Sequence, residues 1–398
     1  MYGLILEGGG AKGSYQIGAY QAIEQLSLGI NGVAGTSIGA LNGAMIVQGE
    51  WERIYELWYN ISPSLVFRVD DQLLEELLNF DLSQENLLYL LKKAKRVFNN
   101  RGLDIGLIKK ILVENIREEA IRAAKKDFGI VAFNLSEMKA LELFLEDIPV
   151  GKLVNYLMAS AYFPAFKLER MEGKFFLDGG VYDNLPITLL GSRGYRDLIV
   201  IRTYGRGRIR KFPQQDYNIT YIKPVENLGG ILDFSQDRAR KNLKMGYFDA
   251  LRVFQGLAGS KYYLEATADE DYYLRLFLKL GQEKISRIGQ LFGLEPLPYQ
   301  RLLFEFIIPR LTVLLDLKRD CSYREIALSL LERVAEKLAM ERFRIYQLEE
   351  FMAEIIRNFP TRQQDASKHI PEFIRQHDLL SRAVRDELLQ DIITVIFS

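Results

Sequence analysis

Apolar and polar positions alternate in blocks along the first 205 residues, short hydrophobic runs giving way to stripes with helical spacing. Residues 3–6 form an apolar run that ends in Gly8-Gly9-Gly10-Ala11-Lys12-Gly13-Ser14, and a helical pattern follows through Ile17, Tyr20, Ile23 and Leu26. A second run leads through Val33-Ala34 into Gly35-Thr36-Ser37-Ile38-Gly39 and then a small-residue helix. From Trp51 to about Lys126 the spacing is helical and irregular, with Leu73, Leu74, Leu77 and Leu78, and again Leu87, Leu88, Leu90 and Leu91. Sheet signals return over 128–133 and 141–145, and a helix is expected over 150–159. A strand over 174–177 meets Asp178-Gly179-Gly180, Pro186 falls in the first turn of the next helix, and 198–201 reads as the last apolar strand. Strands alternating with helices predict an α/β fold with a largely parallel sheet.

Past about residue 260 the pattern changes. The stretches 272–292, 299–318, 323–346, 347–359 and 371–397 are helical in period, with Ala327, Leu330, Leu331, Val334 and Leu338 on one stripe and no β signal. The expected division is therefore an α/β domain over 1–260 and an all-α region over 261–398, whose amphipathic faces suit packing, a partner surface or a membrane-facing role.

Composition narrows the function classes. The chain is 48% hydrophobic and 26% charged over 398 residues, as in a globular protein. Its 52 basic and 52 acidic residues balance, so nothing global favours nucleic acid. Cys321 is the single cysteine, which excludes an intrachain disulfide and a cysteine-rich zinc site. The first residues lack a basic segment and a long apolar core, and read as a strand entered at once, with a cytoplasmic location expected. The uncharged stretch 25–49 is rich in glycine and holds Asn31, Asn42 and Ser37, which suits a buried strand-turn-helix rather than a span.

The pattern G-x-S-x-G after an apolar run is what a nucleophile elbow needs, because the turn from strand to helix leaves no room for bulk at Gly35 and Gly39. Ser37 at its apex is the candidate nucleophile, beside a helix N-terminus that favours developing negative charge. The upstream glycines can form an anion-binding nest. Gly8-x-Gly10-x-x-Gly13 also fits a dinucleotide fingerprint, but no acidic residue closes a second strand where a ribose partner belongs. Lys12 precedes Gly13, which is the wrong order for a phosphate loop. An oxyanion loop fits best.

A serine nucleophile needs a base, and the two histidines, His369 and His377, lie far away in the helical region. A carboxylate acting directly is the better hypothesis. Asp178 ends a strand, where catalytic residues of α/β sheets gather, although D-G-G is also an ordinary turn sequence.

With these residues in view, the chain resembles the patatin-like phospholipases. Gly8-Gly9-Gly10-Ala11-Lys12-Gly13 is similar to that family's oxyanion loop, Gly35-Thr36-Ser37-Ile38-Gly39 to its nucleophile motif, and Asp178-Gly179-Gly180 to its D-G-[AG] motif, all in family order. Likeness extends to Ala159-Ser160-Ala161-Tyr162-Phe163-Pro164-Ala165-Phe166 and to Asp183-Asn184-Leu185-Pro186, and more loosely to 228–234 and 246–249. Lys12 stands where many members carry arginine. The resemblance implies a three-layer α/β/α domain, a Ser37–Asp178 dyad without histidine, oxyanion stabilisation by the amides of Gly9 and Gly10, and neither metal nor cofactor. It implies a phospholipid or another acyl ester as substrate. With neither a signal peptide nor a span expected, and with apolar residues near the nucleophile, that substrate is expected to be met by reversible, peripheral contact with the inner face of a membrane. The aromatic set Trp51, Tyr55, Trp58, Tyr59 and Phe67 reads as core first and as an acyl pocket second. The residues 44–47, Ala44-Met45-Ile46-Val47, are a further apolar element close to the nucleophile in sequence. The basic run Arg202, Arg206, Arg208, Arg210 and Lys211 reads first as a solvated loop, with a headgroup-facing patch as the alternative.

Overall fold

The computed structural model describes residues 2–66, 106–163, 166, 169–360 and 382–397. Phe67, the leucine stripes between 73 and 91, Pro164, Ala165, His369 and His377 lie outside the described residues. The chain divides into two compact units, Met1–Gln255 and Gly256–Ser398.

The first unit is built on a seven-stranded sheet. Its strands are β1 (Tyr2–Leu6), β2 (Ile30–Thr36), β3 (Asp127–Asn134), β4 (Lys139–Phe144), β5 (Phe176–Asp178), β6 (Asp197–Ile201) and β7 (Asn218–Ile222). Their order is β4-β3-β2-β1-β6-β7, with β5 also paired to β3. Four pairs are parallel and the two that β3 makes with β4 and β5 are antiparallel. The mixed α/β fold with a mostly parallel central sheet is as expected. The expectation that 198–201 is the last strand fails, because β7 comes after it. The alternation in Asn218-Ile219-Thr220-Tyr221-Ile222 suits an edge strand, and only its last residue is fully buried.

Helices cover both faces of this sheet, which accounts for the unbroken apolar runs of β1 and β6. Ile5, Ala34, Val131 and Val200 pack on one side with Ile187, Leu189 and Leu190 of the helix Ile187–Gly191. On the other face lies α2 (Ile38–Gln48), where a Cβ at Gly43 would touch Val33, Phe128 and Leu6. The loop-to-helix step after β1 gives α1 (Gly13–Gln25), and α3 (Trp51–Tyr59) comes after α2.

Strand register positions the site. β2 runs parallel to β3 and ends with Thr36 opposite Val131, while β5 runs antiparallel along the same edge of β3 and ends with Asp178 opposite Ala132. The two strands approach each other head-on at neighbouring β3 residues. Ser37, just past the end of β2, therefore meets the Asp178 turn at the end of β5.

The second unit is mostly helical, from Glu270–Leu278 and Gln282–Leu291 through Tyr323–Lys337 and Leu348–Asn358 to Arg382–Phe397. Ala327, Leu330, Leu331 and Val334 are buried as their stripe predicts, in a core with Tyr273, Leu303, Phe351 and Ile392. Ser322 and Glu325 close a capping box at the start of Tyr323–Lys337. The region is not all-α. β8 (Tyr263–Glu265) and β9 (Ile345–Gln347) pair in parallel, and at three residues each they are too short for a period-2 pattern to show. The helix expected over 272–292 also breaks, at Gly281, into two.

Candidate active site

Ser37 sits between β2 and α2 with φ 56° and ψ −127°, a backbone state that side-chain-bearing residues rarely adopt. The surroundings enforce it. A Cβ on Gly35 would lie 2.3 Å from the carbonyl of Gly39, and one on Gly39 would lie 2.3 Å from the carbonyl oxygen of Leu6. Thr36 Oγ1 donates to the carbonyl of Asp183 at 2.8 Å, and the Ser37 N–H donates to Ser160 Oγ at 3.0 Å. Ser160 is fully buried and donates in turn to the carbonyl of Val131 at 2.6 Å. The elbow is thus tied to β3 through one hydroxyl.

Ser37 Oγ donates to Asp178 Oδ2 at 2.5 Å, and the other oxygen, Oδ1, accepts from the Gly180 N–H at 2.8 Å. Loss of water around the Asp178 carboxyl pushes its pKa up to about 6, against the opposing pull of the bonds from Ser37 and Gly180. A carboxylate raised this far is a better proton acceptor than an exposed one and is still ionised at neutral pH. Asp183 is also raised to about 6 by burial, but its carboxyl accepts from the backbone of Leu185 and Arg210 and does not line the cavity.

The glycine loop divides by role. The Gly8 N–H donates to the Asn184 carbonyl at 3.2 Å, the Gly13 N–H to the Gly10 carbonyl, and Lys12 Nζ to the Tyr204 carbonyl at 3.0 Å. Gly9 and Gly10 line the cavity with Ser37, and their amides have no acceptor among the described residues. Gly10 has φ +57°, and a Cβ there would lie 2.1 Å from the carbonyl oxygen of Ile231. The loop is fastened from below by Glu7, which is fully buried. Its carboxylate accepts from Arg202 Nε at 2.9 Å and from the amides of Thr203 and Tyr204 at 2.6 and 3.0 Å. Thr203 Oγ1 and Asn184 Nδ2 then hold the carbonyl of Gly8 at 2.8 and 3.3 Å.

Ser37 and Asp178 open into a cavity of about 670 Å³. Its walls are largely apolar and come from α2 (Leu41, Met45), α3 (Ile54, Leu57, Trp58), Leu112 and Ile116, and Leu232 and Phe234. Of the aromatic set, Trp58 alone among the described members lines it, stacked on Phe234 at 6.1 Å and donating through Nε1 to Asn42 Oδ1. Trp51 packs edge-on against Tyr20, and Tyr55 stacks on Tyr59. Of the residues 44–47, Met45 lines the cavity and the other three are buried elsewhere. Ser160, Glu7, Thr203 and Asn184 as a fastener escape a reading of the sequence for reactive groups. Ser160 did carry a signal, since its segment is among those that resemble the patatin-like family.

The α/β unit thus ends one strand in a strained serine and a facing strand in the carboxylate that accepts its hydrogen bond. Residues 4–190 match the sequence model of the family described as Patatin-like phospholipase. It is 27% identical over 194 residues to a protein of Invertebrate iridescent virus 6 named "Probable lipid hydrolase 463L", a match that covers 47% of this chain and 62% of the viral one. It is 27% identical over 223 residues to "Uncharacterized protein YqhO" of Bacillus subtilis, covering 52% and 72%. Against the human "Patatin-like phospholipase domain-containing protein 6" it is 26% identical over 207 residues, 50% of this chain and 13% of the relative. The chain thus spans less than two thirds of the viral relative and a small part of the human one. Among solved structures, VipD from Legionella pneumophila aligns over 100% of this chain and 91% of its own, at 14% identity and a TM-score of 0.40.

Proposed function

We propose that the chain is a serine lipid acyl hydrolase, an esterase of phospholipase A type, with its chemistry in the first 260 residues. The observation that carries this reading is the 2.5 Å hydrogen bond from Ser37 Oγ to Asp178 Oδ2 where both open into an apolar cavity. Such a volume falls in the range of about 300–1,000 Å³ that holds small ligands, and apolar walls suit an acyl chain.

In the proposed reaction Ser37 Oγ attacks the ester carbonyl carbon as its proton passes to Asp178 Oδ2. The carbonyl oxygen becomes an oxyanion, which the amides of Gly9 and Gly10 can meet without giving up another bond. The N-terminus of α2 adds favourable potential at the same place. Collapse of the intermediate breaks the ester C–O bond, and the departing alkoxide takes the proton back from Asp178. Water then repeats the sequence on the acyl-enzyme, with Asp178 as its base, and releases the fatty acid and free Ser37. Substrate reaches the cavity by peripheral contact with a lipid surface. Among the described residues, no helix is long and apolar enough to cross a membrane.

The pH dependence tests this reading. Asp178 must be ionised to take the proton, so kcat/KM for a short-chain p-nitrophenyl ester is expected to be flat above its pKa of about 6 and to fall about tenfold per pH unit below it. A rate that does not change between about pH 5 and 8 would remove Asp178 as the base.

A further inference from the structure

We propose that Arg208 forms a subsite for the phosphate of an amphiphilic acyl ester, so that the cavity selects phospholipid over neutral acylglycerol. This rests on the hydrolase reading above and names a residue that sets its substrate preference. The loop that carries Arg208 is fastened to both loops of the site. The Arg208 N–H donates to the Gly180 carbonyl at 2.8 Å, its carbonyl accepts from the Asn184 N–H at 2.6 Å, and Asn184 Nδ2 donates to the Gly205 carbonyl at 3.4 Å. A Cβ at Gly205 would lie 1.8 Å from the carbonyl oxygen of Gly8, and one at Gly207 would lie 2.7 Å from Asn184. Glycine at these two places lets the loop rest directly on the Gly8 and Gly180 segments. Arg206 and Arg208 then line the same cavity as Ser37 and Asp178.

The basic run separates by pairing. Arg202 is held by Glu7 at 2.9 Å and Arg210 by Glu142 at 2.8 Å. Arg208 is exposed, and its guanidinium has no carboxylate partner among the described residues. Among the described residues that line the cavity, Asp178 is the single carboxylate, and its oxygens are already taken by Ser37 and Gly180. The cavity therefore offers apolar walls, a nucleophile and, on its solvent side, a guanidinium with its donors available. A glycerophospholipid presents the matching set, an acyl chain, an ester and, a few bonds away, an anionic phosphate. Guanidinium groups bind two phosphate oxygens at once, whereas a neutral acylglycerol gives Arg208 nothing to replace its water.

The test compares two monomeric substrates with the same acyl chain, 1-decanoyl lysophosphatidylglycerol and 1-decanoylglycerol, in the full-length protein. The ratio of their kcat/KM values is expected to fall about tenfold in Arg208→Ala, mainly through a higher KM for the phosphate substrate, the size of a charge-assisted hydrogen bond at a solvated site. Arg208→Lys should recover part of the ratio. The Arg208 side chain makes no bond within the described residues, so neither substitution should lower the melting temperature. An unchanged ratio in Arg208→Ala would overturn the inference, and a wild type that cleaves both lipids equally well would do so too while leaving the hydrolase reading standing. Failure of the wild type to cleave either lipid or a p-nitrophenyl ester would instead remove the hydrolase reading and this inference with it. Glycerophosphoglycerol should compete with the phosphate substrate more strongly than inorganic phosphate does. Equal competition would assign the subsite to free phosphate and overturn its lipid assignment.

Discussion

Ser37→Ala is expected to reduce hydrolysis of a short-chain p-nitrophenyl ester by on the order of 10⁴ to 10⁶, the loss seen when the nucleophile of a covalent mechanism is removed. The elbow should survive the change. Its shape comes from the clearance around Gly35 and Gly39 and from the bond between the Ser37 N–H and Ser160 Oγ, neither of which uses the Ser37 side chain. The substitution takes away one oxygen and one hydrogen bond, and Asp178 keeps its bond from Gly180. Thermal melting should therefore stay within a few degrees of wild type, which separates lost chemistry from lost fold. Turnover near the wild-type rate in a folded Ser37→Ala protein would contradict the mechanism.

Asp178→Asn is expected to lower kcat by about 10³ to 10⁴, because a neutral amide can still orient the Ser37 hydroxyl but cannot take its proton. The loss should come with no loss of stability. Burial raises the Asp178 pKa in the folded state, so the ionised carboxylate is disfavoured there relative to the unfolded chain. Its contribution to stability is therefore most favourable at low pH and is lost as pH rises from the unfolded value of 3.8 through about 6. Asparagine removes that penalty at neutral pH. Denaturant melts of both proteins at neutral pH check this, and a variant that is both active and less stable would show Asp178 to be a turn residue.

The two ends of the site differ in how legible they were. Ser37 could be found because an elbow is a local steric problem, solved within five residues by Gly35 and Gly39. The meeting of Ser37 with Asp178, 141 positions away, could not be read from spacing. It depends on β2 and β5 ending head-on against Val131 and Ala132, a matter of long-range strand pairing. The scarcity of histidine favours a carboxylate, and Asp178 stands out because it ends a strand beside two glycines, with D-G-G similar to a family motif as further support. Ser160 and Asn184 lie in segments that resemble the family, but their fastening roles, like that of Glu7, appear only once their partners are placed. The apolar residues expected at the pocket were sorted by geometry, Trp58 and Met45 to the cavity and Trp51 to a contact with Tyr20. In the second unit the helical stripe was readable, whereas β8 and β9 stabilise each other across some 80 residues and carry no local pattern.

If Ser37 is a nucleophile activated by Asp178, a covalent label should find it alone. Wild-type protein treated with a fluorophosphonate at neutral pH should gain the mass of a single adduct, mapped by peptide sequencing to the segment containing Gly35 to Gly39. Ser37→Ala should gain none, and Asp178→Asn should label far more slowly than wild type. Labelling that persists in Ser37→Ala, or a folded wild-type protein that never reacts, would rule out Ser37 as the activated nucleophile.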